Sequence, residues 1–160
     1  MHPETKPEGE EFSPEKRESL KPMVKKITQI AQANSMPLVF PERMISTRRA
    51  IEATEYSREQ GKLLAFHKVI FQKFYGQGQD ISSWEVLRAT AEEVGLDADA
   101  MQRKTESGAY RDIVERQTFE AQNRGINQIP TFVLNDSYAV VGAQPYEVFQ
   151  LVLQQMAQGG

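Results

Sequence analysis

The apolar pattern of this chain changes period only once, and late. From Leu20 to Gly125 apolar residues recur at three- and four-residue steps, the spacing of amphipathic helices. Only at "TFVL" (131–134) and "YAVV" (138–141) do β-branched and aromatic runs replace it, separated by Asn135, Asp136 and Ser137. These are turn residues that tolerate positive φ, so the two runs read as a hairpin. The expected fold class is α+β, mostly helical: six or so helices followed by β–β–α. A lone two-stranded hairpin is marginal in water, so either helices cover it or strands that belong beside it lie elsewhere.

Residues 1–13, rich in proline and glutamate, read as an extended arm that cannot bury enough apolar surface to order itself. A first helix carries Leu20, Met23, Val24, Ile27, Ile30 and Ala31, with Pro22 either opening it or kinking a longer helix begun at Ser13. "NSMPLVFPERMIS" is an aperiodic, extended link. A second helix starts after Ser46 as N-cap and stops at Gly61; a third runs through "KLLAFHKVIFQKFYGQG". Ser82 or Ser83 caps a fourth, Asp97 a fifth, and a sixth ends at Gly125. The last helix starts near Pro145, a residue suited to a first helical turn.

Composition narrows the chemistry. The chain has no cysteine, which removes thiol nucleophiles, disulfides and thiolate metal sites. Its two histidines, His2 and His67, are too far apart in sequence to suggest a metal pair, and neither a metal nor a cofactor is expected. A net charge of −3 and a pI near 5.5 give no general attraction to nucleic acid or anionic membrane. No apolar run approaches the ~20 residues of a membrane span, and the acidic, proline-bearing start is unlike a secretory leader. As written, the chain is expected to be cytoplasmic.

Three further signals have plain structural explanations. His67 could transfer protons, but no acid, serine or second histidine is placed near it, and a helix-surface histidine is commoner. Trp84, Phe66, Phe71, Phe74 and Tyr75 could line a cleft, yet their helical spacing favours core packing. "AEEVGLDADA" lacks the alternation and closing glutamate of a calcium loop, and reads as a solvated helix face and cap.

Pro130 stands between Ile129 and the first strand, where a proline is tolerated because it need not donate to the ladder. Glycine, four residues, proline, hairpin and helix, in "GINQIPTFVLNDSYAVVGAQPYEVF", resemble the C-terminal half of a thioredoxin fold. More narrowly, the stretch resembles the DsbA-like family and its FrnE-like branch of dithiol–disulfide isomerases. "FPERMISTRRAIEATEYSREQGK" and "GQGQDISSWEVLRATAEEVGLDADA" are similar to that branch's helical insertion, so the resemblance covers nearly the whole chain. It implies a helical insertion domain at 14–125, after the 1–13 arm, and the ββα half of a thioredoxin-like fold at 126–158.

The same resemblance implies that Pro130 is the family's cis-proline, with Ile129 and Thr131 flanking it, and that the backbone there pairs with an extended polypeptide substrate. These three are the expected substrate-binding residues, and no catalytic residue is expected. The family's βαβ half with its Cys-x-x-Cys is not in this sequence, so the thioredoxin-like fold is expected to be incomplete. The chain is read as a disulfide-oxidoreductase family member, truncated and redox-inactive, because no other side chain replaces a thiolate in disulfide exchange. Two rival readings stand beside it. One is a non-enzymatic peptide- or partner-binding module. The other, ranked lower, is a glutathione-using protein resembling 2-hydroxychromene-2-carboxylate isomerases, which carry a "FWGQDR"-like segment where this chain has "VVGAQPYEVF". A homodimer through the exposed strand edge is expected for the truncated reading.

Overall fold

The computed structural model describes residues 5–6 and 8–158. His2 lies outside the described residues, as do residues 1, 3, 4 and 7 of the expected arm. The chain falls into two compact units, 1–114 and 115–160, each described by itself below.

The first unit opens with strand β1 (Glu10–Glu11), which pairs antiparallel with β2 (Arg43–Met44). In the part of the arm that is described, Thr5 is buried and its hydroxyl donates to the Met44 sulfur at 3.1 Å. Composition could not show this, because the partners lie more than thirty residues away in "ERM". Helix α1 (Pro14–Ala33) starts at Ser13, whose Oγ accepts from the Lys16 amide. Pro22 lies inside it and leaves the Glu18 carbonyl without its helical donor. Of the apolar stripe of α1 only Ala31 is buried. Leu20 and Val24 line a groove of about 440 Å³ with Phe12, Phe40 and Pro41.

The core comes from the next four helices: α2 (Arg48–Glu59), α3 (Leu63–Phe71), α4 (Trp84–Glu93) and α5 (Ala98–Glu106). Ala53, Phe66, Leu87, Ala91 and Met101 are fully buried at their meeting point, with Tyr56, Ile70 and Tyr110 around them. Thr47 rather than Ser46 precedes α2, without a side-chain cap bond, whereas Ser83 and Asp97 cap α4 and α5 through their side chains. A single π-helical turn, Gln72–Gly76, prolongs α3, and the Val39 amide donates to its Tyr75 carbonyl at 2.6 Å. This bond ties the extended link to the helix end. Phe66, Ile70 and Phe74 face inward as their spacing predicts, but Phe71 and Tyr75 stack on each other at the surface.

Glu59, at the end of α2, gathers the unit's best-defined polar cluster. Tyr110 Oη donates to Glu59 Oε2 at 2.5 Å and Lys104 Nζ to Glu59 Oε1 at 2.6 Å. Burial first, then the carboxylate bonded to it, push the Tyr110 phenol above the ordinary tyrosine range.

The second unit contains most of helix α6 (Arg111–Asn123), strands β3 (Thr131–Leu134) and β4 (Tyr138–Val141), and helix α7 (Tyr146–Gln158). The strands pair antiparallel with Thr131 opposite Val141 and Leu134 opposite Tyr138. Asn135 and Asp136 take φ values of 51° and 52°, the paired left-handed conformation of a tight hairpin turn. Val140 is the one buried residue on the hairpin, and no residue of α7 is buried.

Two outcomes test this account. Phe66→Ala should lower unfolding stability by about 3–5 kcal/mol, read from the denaturant midpoint, because a fully buried ring leaves a cavity. A raised phenol pKa contributes stability that is complete below about pH 10 and declines as pH rises from there. Wild-type stability should therefore fall more steeply above pH 10 than that of Tyr110→Phe; parallel curves would contradict the assignment.

Candidate functional site

Helix α6 ends in a geometry that aims the following residues. Gly125, at φ 72°, donates to the Gln122 carbonyl, and the Ile126 amide reaches back to Ala121, both at 2.9 Å. These two bonds close a Schellman stop, which a residue with a Cβ would strain. The chain then runs through Asn127 and Gln128 to Ile129 and Pro130, joined by a cis peptide bond. Thr131 Oγ1 donates to the Gln128 carbonyl at 2.6 Å, closing the bend before β3.

The hydrogen-bond pattern decides which groups of β3 are free. The Pro130 carbonyl accepts from the Gly142 amide at 2.7 Å, so that opposed pair is a hydrogen-bonded one. Antiparallel pairs alternate, so Phe132–Val140 and Leu134–Tyr138 are bonded pairs and Thr131–Val141 and Val133–Ala139 are not. Thr131 and Val133 therefore turn their N–H and C=O groups to the outer edge of β3. No strand pairs with that edge among the described residues.

The two faces of the hairpin also differ. Phe132, Leu134, Tyr138 and Val140 share one face, and Phe132 meets the Phe149 ring of α7 edge-on at 4.9 Å. Thr131, Val133, Ala139 and Val141 share the other, where Val133 and Val141 are exposed. Near the turn, Ile126, Val133 and Ala139 border a shallow groove of about 440 Å³, beside the exposed Arg124–Asp136 pair at 3.3 Å.

The three residues singled out by the sequence, Ile129, Pro130 and Thr131, thus lie together at the start of the free edge, with Ile129 83% exposed. Val133 was not singled out, although the two-residue period counted from Thr131 would have found it. His67 sits on α3 with its ring edge-on to Phe71, and Trp84 is half-buried beneath the Arg49 guanidinium at 4.9 Å. Among the described residues, no group of three or more histidine, aspartate or glutamate side chains is placed to hold a metal ion. No described helix is long and apolar enough to cross a membrane.

A largely helical segment followed by a proline-led hairpin and a closing helix defines a thioredoxin-like protein with a helical insertion. The chain belongs to the DSBA-like thioredoxin domain family, whose model matches residues 2–154. It is 30% identical over 135 residues to the uncharacterized Bacillus subtilis protein YwbO, covering 82% of this chain and 64% of that protein. It is 29% identical over 137 residues to a 2-hydroxychromene-2-carboxylate isomerase of Sphingobium xenophagum, covering 84% and 70%. A crystal structure of a probable DsbA oxidoreductase from Streptomyces coelicolor superposes with a TM-score of 0.77 at 27% identity, over 86% of this chain and 60% of that one. The chain therefore spans less than two thirds of the length of some of the relatives it matches.

The Phe132–Phe149 contact carries a prediction. Phe149→Ala should speed amide hydrogen exchange at Phe132 and Val140 at least several-fold, since such aromatic pairs contribute about 0.5–1.5 kcal/mol beyond their burial. Amides of α4 and α5 should be unaffected.

Proposed function

We propose that this chain is the part of a DsbA-like domain that holds an extended polypeptide along the free edge of β3, beside Ile129, Pro130 and Thr131. The observation that carries the reading is the pair of outward-turned backbone groups on Thr131 and Val133, next to exposed apolar side chains. An extended segment laid there gains ladder hydrogen bonds from its backbone and apolar contact from alternate side chains. Such recognition reads shape and apolarity more than sequence, as a handler of unfolded chains requires.

As a 160-residue chain without cysteine, it performs no thiol–disulfide exchange of its own, because that reaction needs a thiolate to attack sulfur. In this reading the chain is the substrate-holding wall of a redox fold, or a binding module in its own right.

A second reading has specific support. One matched relative is named as a 2-hydroxychromene-2-carboxylate isomerase, and so is another in Pseudomonas putida, 32% identical over 108 residues. If glutathione supplies the thiol, as the resemblance to that branch implies, the absence of cysteine is no obstacle. Ultraviolet assay of 2-hydroxychromene-2-carboxylate with and without glutathione decides this; glutathione-dependent turnover would move the assignment to the isomerase.

For the peptide reading, reduced and alkylated insulin B chain is titrated against the labelled protein. The Thr131 and Val133 amides should shift and gain exchange protection. Val133→Pro, which removes one outward donor, should weaken binding by about 2- to 10-fold. Unchanged affinity would place the peptide elsewhere. Insulin reduction by the chain should not rise above the uncatalysed rate.

A further inference from the structure

We draw no further inference here: the strongest candidate, the exposed aromatic face of α3 and its π-helical turn, where Phe71 and Tyr75 stack at 5.9 Å with His67 edge-on to Phe71, carries no proposal because nothing in the structure shows what covers it.

Discussion

A β-strand has two edges, and among the described residues the backbone groups of β3 find partners at only one of them. Each outward N–H and C=O on Thr131 and Val133 must be bonded by water or by a further strand. This requirement orders the rest of the second unit. Helix α7 meets one face of the hairpin through Phe149, with Val140 buried there but Phe132 and Tyr138 still exposed, the opposite face carries Val133 and Val141 in the open, and no described strand pairs with the edge between the two. The functional reading follows from that imbalance, with the proline contributing through its place at the head of the edge.

The central helices of the first unit are more fully packed, although Arg43 Nε and Thr105 Oγ1 are buried in that unit without a hydrogen-bond partner among the described residues. Its four central helices bury Ala53, Phe66, Leu87, Ala91 and Met101 completely, and its buried carboxylates are paired: Glu52 with Arg48, Glu55 with Arg58. The second unit buries Val140 on its hairpin and nothing on α7. Apolar burial is the main favourable term in folding, so resistance to local opening should be concentrated in the helices of the first unit. The hairpin, with Val140 as its one buried residue, belongs at the less protected end of that range.

Much of this was legible in the sequence, for physical reasons that differ by element. The helices around Phe66 and Leu87 announced themselves because local periodicity and the serine and aspartate caps act within a few residues. The hairpin was legible through β-branched runs and through Asn135 and Asp136, which accept positive φ. Pro130, Ile129 and Thr131 were singled out by resemblance. Their outward-facing neighbour Val133 needed the hydrogen-bond phase set by Pro130 and Gly142. The pairing of Glu10–Glu11 with Arg43–Met44 was not legible, because a two-residue ladder between distant segments leaves no periodic trace. The surface position of Phe71 was missed because spacing along a helix gives a side chain's direction and leaves open whether anything lies in that direction.

The glycine stop of α6 and the two-residue alternation of β3 together constrain chain length as well as composition. Side chains and hydrogen-bonding edges both invert with each residue added to a strand. With the register held at the turn, a single residue inserted between Phe132 and Leu134 would carry the Phe132 ring away from Phe149 and turn the outward groups of Thr131 toward β4. Sequence change in this solvent-exposed stretch should therefore proceed by substitution, while insertions and deletions are tolerated before Pro130 or beyond the hairpin. In most proteins an exposed segment is where length varies first. Here exposure and fixed length coincide, because the ladder with β4 and the Phe132–Phe149 contact set the phase of the strand.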